Sequence, residues 1–117
     1  MTKLVEFLVR KDGYSHEEFR ERWEGDHAEI ARELPGLQRY STSVPADPDA
    51  AEYDGVLELV FESPAALNGA FESAVGREVQ ADAAEFVDLG AGPRMIVEET
   101  VHVDAFDHAG DERPGDG

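Results

Sequence analysis

Trp23 and His27 are the residues of this sequence whose type and spacing best fit a chemical role, and both lie in a segment predicted to be helical. At about 100° per residue, they share one narrow sector of the helix with Phe19, Ile30 and Leu34. Such an apolar stripe faces the core, so an imidazole and a large indole point to the inner side of the helix. Because burial disfavours a charged imidazole, a neutral ring there can accept a proton. The spacing therefore makes His27 the candidate for acid/base chemistry.

A purely structural role is the first alternative for this histidine. A single histidine at the edge of an apolar stripe is commonly a core residue, and the indole and phenyl rings near it are typical of a core. A pocket between the helix and the rest of the fold, with a second polar group close to His27, would favour the functional interpretation. A ring packed on all sides would exclude it.

The elements that must position this helix follow the order β-α-β-β-α-β. Ser15 and Glu18 form a capping-box pattern at the start of the first helix, and Pro35 ends that helix. Gly76 is predicted to break the second helical region. The predicted strands are residues 4–9, 37–44, 55–62 and 94–103, and the predicted helices are residues 15–34, 64–75 and 77–86.

Two strand-helix-strand units of this kind give an α+β fold of the ferredoxin-like type, a four-stranded antiparallel sheet with the helices on one face. We expect Leu4 and Leu8, on either side of Glu6, to lie on the uncovered face together with Val56 and Val60. A half-apolar face that no helix covers is typical of an interface. The sequence therefore predicts a homodimer through the sheet faces.

The segment from Ser15 to Ala28, S-H-E-E-F-R-E-R-W-E-G-D-H-A, resembles the EthD family. The resemblance continues through residues 34–37 and Tyr40, residues 53–56 and residues 83–88, and it extends to about Val103. It implies the dimeric α/β-barrel fold, in which two ferredoxin-like sheets close into one barrel. The family is named for a protein of an ether-degrading oxygenase system and is often labelled oxidoreductase. Relatives in the same fold include muconolactone isomerases, polyketide cyclases, dehydratases and cofactor-free oxygenases, and they tend to bind aromatic or lactone-like molecules.

The resemblance implies that His27 is the acid/base residue, with Asp54 and Asp88 as supporting residues. A carboxylate on the second ring nitrogen would orient the imidazole, although both aspartates also fit ordinary turn positions. Two functions remain open. One is cofactor-independent isomerisation, cyclisation or dehydration of a small hydrophobic carbonyl compound; the other is a non-catalytic binding or accessory role beside an oxygenase. The expected substrate-binding residues are Phe19, Trp23, Tyr40 and Phe86.

The charge balance excludes several classes of partner. The chain has 27 acidic and 10 basic residues and a formal net charge of −17, so we expect neither nucleic acid nor an anionic membrane as a partner. The acidic residues are spread along the chain, which is typical of the solvated coat of halophilic proteins. Without a signal-peptide pattern, a cytoplasmic location is expected. We expect one domain over residues 1–104 and an acidic, frayed tail over residues 105–117.

Metals and cofactors have little support in the sequence. It contains no cysteine and no dinucleotide-binding or phosphate-binding glycine motif. Glu24 and His27 form an E-x-x-H pair, but a di-iron site needs further carboxylates from other helices. His102 and His108, with nearby aspartates, are more typical of adventitious metal binding. We therefore expect neither a metal nor a cofactor.

Overall fold

The computed structural model describes residues 1–105 of the chain, in which four strands form an antiparallel sheet of order β2-β3-β1-β4. This order is that of the ferredoxin-like fold, and the predicted α+β class is confirmed. The strands are β1 (Thr2–Leu8), β2 (Arg39–Ser43), β3 (Gly55–Phe61) and β4 (Arg94–Glu98). The helices are α1 (His16–Arg22), a π-helical turn (Trp23–His27), α2 (Ala28–Ala31), a 3-10 turn (Pro48–Ala50), α3 (Pro64–Glu72) and α4 (Ala74–Ala83).

Helix α1 begins at the predicted capping box. The Ser15 hydroxyl accepts from the Glu18 backbone N–H at 3.1 Å, and the Glu18 carboxylate accepts from the Ser15 N–H at 2.9 Å. These two hydrogen bonds satisfy donors that the first helical turn would otherwise leave unpaired. The helix then runs through the π-helical turn into α2 without a break.

The π-helical turn changes which side chains share the inner face. In an α-helix, a residue four positions further on is rotated about 40° beyond one full turn. The π-helical turn has more residues per turn, so it reduces this rotation. Residues spaced by four therefore form one buried row: Phe19, Trp23, His27 and Ala31. Ile30, expected in the same sector, is only half-buried.

The second helical region breaks at Ser73, and the predicted break at Gly76 is wrong. The Ser73 hydroxyl donates to the Ala70 carbonyl at 2.6 Å, which ends α3, and accepts from the Gly76 N–H at 3.0 Å, which begins α4. One small side chain thus caps both helix ends. A Cβ at Gly76 would lie 2.3 Å from the Ala70 carbonyl oxygen. This glycine therefore permits the close packing of α3 on α4.

Strand β1 presents its leucines to the helices, and the expectation that they lie on the uncovered face is wrong. Leu4 and Leu8 are 1% and 5% exposed and belong to the core formed with the helices. The other face of this strand carries Val5 and Phe7, so both faces are apolar. Hydrophobic alternation cannot distinguish two such faces, and only the packing of the helices does. Glu6, between the leucines, consequently points to the helices as well.

The opposite sheet face holds Val56 and Val60, as expected from the alternation along β3. Around them lie Phe7, 36% exposed, and Met95, 64% exposed. Lys3 lies on the same face and forms an ion pair with Glu58 at 2.8 Å. Lys3 also pairs with Glu99 at 2.5 Å, so this face is mainly apolar apart from the charged group around Lys3.

Candidate active site

The site centres on His27, the last residue of the π-helical turn, which is 6% exposed. Its Nδ1 lies 2.8 Å from Oδ2 of Asp82 in α4. A carboxylate only accepts hydrogen bonds, so we assign the N–H to Nδ1. In the neutral ring this leaves the lone pair on Nε2, and no described residue hydrogen-bonds to that atom. The ring thus has the tautomer and the free nitrogen of a general base.

Arg22 holds the Asp82 carboxylate from the other side. Its two terminal nitrogens donate to Oδ2 and Oδ1 of Asp82 at 2.9 and 2.6 Å. These hydrogen bonds lower the pKa of Asp82, and the bond from His27 adds to the effect. The same bonds raise the pKa of Arg22. A carboxylate that stays ionised and fixed in place orients the imidazole and stabilises its positive charge after proton transfer.

Phe86 completes the support of the imidazole ring. It is fully buried, and its ring meets the edge of His27 at 5.1 Å between centroids. The Arg22 guanidinium lies 5.0 Å above the same ring, in a cation–π contact. Phe19 packs on both Phe86 and Trp23, at 5.7 and 5.5 Å. These contacts leave the imidazole little freedom to rotate away from Asp82.

A cavity of about 50 Å³ lies between the helices and the sheet and reaches His27. Trp23 and Phe86 line it beside the histidine. Tyr40 and Glu6 line it from the sheet. A free volume of this size holds one or two water molecules. It therefore suits a single polar group of a ligand rather than a whole ring.

Tyr40 and Glu6, which line the cavity from the sheet, are both poorly solvated. The Tyr40 hydroxyl is buried without a hydrogen-bond partner among the described residues. Burial raises the pKa of Tyr40 to about 12, and the nearby charge of Glu24 adds to this effect. Burial also raises the pKa of Glu6, against the opposing charge of Arg94. The cavity therefore combines a free phenol donor with a carboxyl group that resists ionisation.

The family follows from a comparison with known domains. The family described as the EthD domain matches residues 11–90, more than half of the chain. The chain belongs to the EthD family. The comparison with curated proteins gives no significant match.

Solved structures of EthD-like proteins and other ferredoxin-like proteins share the fold. An EthD family protein from Bacillus halodurans is 24% identical, with a TM-score of 0.71 over 86% of this chain and 99% of that chain. A dimeric ferredoxin-like protein of unknown function from Bacteroides fragilis is 12% identical, with a TM-score of 0.61 over 86% and 95%. SnoaB, a cofactor-independent oxygenase from Streptomyces nogalater, is 12% identical, with a TM-score of 0.64 over 86% and 93%. At these identities the likeness concerns the fold.

The structure brings together most of the residues that were expected to bind a substrate. Trp23, Tyr40 and Phe86 line the cavity with His27. Phe19 lies behind Trp23 and Phe86 and borders a separate surface groove instead. Phe19 therefore supports the walls of the cavity without lining it.

The two aspartates expected as supporting residues lie away from His27. The Asp54 carboxylate accepts from the Arg10 backbone N–H at 2.8 Å and lies 3.2 Å from Nδ1 of His16. Asp88 has an exposed side chain, and its backbone N–H donates to the Val9 carbonyl at 2.8 Å. Asp54 therefore supports the start of α1, while Asp88 holds a turn against β1.

Sequence reasoning missed the carboxylate that does contact His27. Asp82 shares the inner stripe of α4 with Val79 and Ala83, and Phe86 follows the end of that helix. A lone acidic residue among apolar neighbours on an inner stripe was the available signal. The prediction of a helix over residues 77–86 already placed Asp82 one turn before Phe86.

Residues 1–105 show neither a metal-binding cluster nor a transmembrane helix. In that range no three histidine or acidic side chains cluster so as to hold a metal ion. Glu24 is exposed and accepts from Thr42 and Arg20, away from His27. His102 is exposed, whereas His108 lies outside the described residues, as does most of the expected acidic tail. Within the same range, no helix has the length and hydrophobicity of a transmembrane segment.

Proposed function

We propose that this EthD-family protein binds a small hydrophobic carbonyl compound, aromatic or lactone-like, between helices and sheet. In this proposal His27 transfers protons on the bound molecule without a cofactor, in an isomerisation, cyclisation or dehydration. The observation that carries it is the 2.8 Å contact of His27 Nδ1 with an ion-paired Asp82, at the wall of a cavity. A purely structural histidine requires neither the ion-paired carboxylate nor the cavity.

The chemistry follows from the two ring nitrogens. His27 Nε2 removes a proton from the carbon next to the substrate carbonyl, and Asp82 stabilises the imidazolium that forms. Such positioned acid/base catalysis contributes about 10²–10⁴-fold to a rate. The enclosed volume admits only the carbonyl end of the ligand. The rest of the molecule lies at the mouth of the cavity, where the lining residues Leu89 and Arg94 are exposed.

A non-catalytic binding or accessory role beside an oxygenase is the second candidate. The small cavity volume favours it, because known ligand pockets are several times larger, about 300–1,000 Å³. In that role His27 holds a ligand by a hydrogen bond and turns nothing over. An oxidoreductase activity of the protein itself is the variant that the family's usual label suggests.

We also propose that two chains associate through their sheet faces. The partly exposed apolar residues Phe7 and Met95 support this arrangement, together with Val5 and Val97 on the same face. The Bacteroides fragilis protein of the same fold is dimeric. A monomeric mass by light scattering in concentrated salt would exclude the dimer.

The acidic composition supports two further parts of the proposal. The net charge of −17 suits a halophilic protein whose self-repulsion is screened by concentrated salt, and a cytoplasmic location is part of the same proposal. The same charge makes nucleic acid and anionic membranes unfavourable partners.

The proposed function is tested by screening small lactones, ketones and quinones for turnover, followed by substitution of the histidine. We expect His27→Asn to abolish turnover. His16→Asn is the matched control, because His16 lies on the same helix but pairs with Asp54, away from the cavity. Unchanged turnover in His27→Asn would remove this residue from the mechanism. Binding without turnover by the wild-type protein would favour the accessory role.

A further inference from the structure

Glu6 is a carboxyl group in the cavity that the mechanism above leaves unused. It lies on β1 between the buried Leu4 and Leu8, and its strand neighbours are Leu57 and Arg94. Its side chain lines the same cavity as His27. Within residues 1–105, no group donates a hydrogen bond to it, and no cation lies within 4 Å of its oxygens. The carboxyl group therefore has free hydrogen-bonding capacity where a ligand would enter.

The glutamate on the other face of the sheet shows what a purely structural position looks like. Glu58 receives the Lys3 ammonium at 2.8 Å, so it is held as a carboxylate by an ion pair. Glu6 faces Arg94 from β4, His27 from the helix side and Tyr40 from β2 across the cavity. Arg94 is exposed to solvent, and burial dominates, so the pKa of Glu6 is raised. Glu6 is thus the carboxyl group that lines the cavity, and burial favours its protonated form.

We propose that Glu6 is a second catalytic residue, which donates a proton to the carbonyl oxygen of the substrate while His27 removes one from the adjacent carbon. This inference rests on the proposed function of the cavity and assigns the second half of its chemistry. It also defines the substrate class as a neutral, enolisable ketone or lactone. An anionic substrate would be repelled by the Glu6 carboxyl group once it is ionised and by the net charge of −17 on the chain.

The proposed step balances without an oxidant or a further reactant. The C–H bond beside the carbonyl breaks, its proton goes to His27 Nε2, and its electron pair forms a carbon–carbon double bond. The carbonyl oxygen takes the Glu6 proton, which gives an enol, a Glu6 carboxylate and a His27 imidazolium. Return of the His27 proton to the same carbon, and of the hydroxyl proton to Glu6, restores both residues and exchanges the α-proton of a simple ketone. In a ketone or lactone with a second double bond conjugated with the enol, return of the proton at the far end of that double bond completes an isomerisation.

The first test is the carbonyl stretching frequency of bound cyclopentanone, measured by infrared difference spectroscopy in wild type, Glu6→Gln and Glu6→Leu. A hydrogen bond from Glu6 lowers this frequency in wild type at mildly acidic pH. We expect a smaller lowering in Glu6→Gln, which keeps a weaker donor, and the smallest in Glu6→Leu, where the Tyr40 hydroxyl is the remaining donor from the sheet. The matched control Glu58→Gln, on the other face of the sheet, keeps the wild-type frequency.

The outcomes separate this inference from the proposed function. Binding of cyclopentanone with the same frequency in wild type and Glu6→Leu would overturn the role of Glu6 and leave the binding function standing. Absence of binding to every variant would overturn both. Circular dichroism checks that each variant is folded. If Glu6→Leu does not fold, the comparison of wild type with Glu6→Gln decides, because glutamine has nearly the same volume as glutamate.

The second test is the exchange of α-protons of cyclopentanone for deuterium in D₂O, followed by NMR as a function of pH. In wild type the exchange rate falls on the alkaline side of its pH profile, where Glu6 loses its proton. We expect Glu6→Gln to exchange about 10²-fold more slowly and to lose this pH-dependent fall, since an amide does not titrate there. Glu58→Gln keeps the wild-type profile. A fall with pH that persists in Glu6→Gln would overturn the inference.

Discussion

Replacement of Asp82 by asparagine probes the support of the candidate base most directly. In the wild type this carboxylate accepts two hydrogen bonds from Arg22 and one from His27, at 2.6–2.9 Å. Asparagine keeps the volume but removes the charge and turns one acceptor into a donor. Arg22, whose side chain is only 21% exposed, then keeps only the exposed Glu85 carboxylate, 3.4 Å away, as a counter-ion. The variant therefore leaves a partly buried cation poorly compensated.

The expected cost follows from these contacts. Removing one partner of a fully buried ion pair destabilises a fold by about 3–5 kcal/mol. The partial exposure of both side chains, 16% for Asp82 and 21% for Arg22, lets water compensate part of this loss. We expect a decrease of about 2–3 kcal/mol in the free energy of unfolding. For a domain of this size, that corresponds to a melting temperature lower by roughly 8–12 °C.

Urea unfolding in molar KCl at several pH values measures this effect. The pKa of Asp82 is lowered in the folded state, so its contribution is complete above its ordinary value of 3.8 and is lost as pH falls through the folded value. The difference between wild type and Asp82→Asn should therefore shrink below about pH 4. Asp88→Asn is the matched control, because Asp88 has an exposed side chain in a nearby turn.

Two results would refute this reasoning. One is equal stability of Asp82→Asn and wild type at neutral pH, and the other is a difference that does not diminish in acid. A separate readout is the ¹⁵N NMR spectrum of His27, in which the wild type shows the proton on Nδ1. Asp82→Asn should shift the ring toward the other tautomer, and an unchanged spectrum would contradict the assigned hydrogen bond.

Three further predictions follow from other contacts. Gly55→Ala should lose about 1–3 kcal/mol by urea unfolding, because the new Cβ would lie 2.5 Å from the Trp23 ring; Gly25→Ala, with nothing within 4 Å, is the control and should lose nothing. The melting temperature should rise steeply from dilute buffer to molar KCl as salt screens the charge of −17, and no rise would exclude the acidic-coat proposal. Glu6→Gln should be more stable than wild type at pH 8, because ionising the buried Glu6 costs stability as pH rises through its raised pKa. A stability difference between the two proteins that did not vanish below pH 4.5 would contradict this prediction.

Short sequence patterns predicted the fold correctly where a residue type has one structural role at its position. The Ser15 and Glu18 pair could only satisfy helix N-terminal donors, and α1 begins there. The alternation along β3 assigned Val56 and Leu57 to opposite faces correctly. Gly76 misled because a glycine either breaks a helix or admits a close neighbour, and only the neighbouring helix distinguishes these uses.

The sequence by itself determined that His27 belongs to the inner face of a helix, since the spacing of apolar residues along one helix is a local property. Its ability to act as a base depends on what each ring nitrogen meets, and that is not local. The partner of Nδ1 is Asp82, 55 residues away in the sequence, and packing of α4 against the π-helical turn brings it within 2.8 Å. Packing likewise turned Glu6 toward the cavity, because both faces of β1 were apolar enough to be buried.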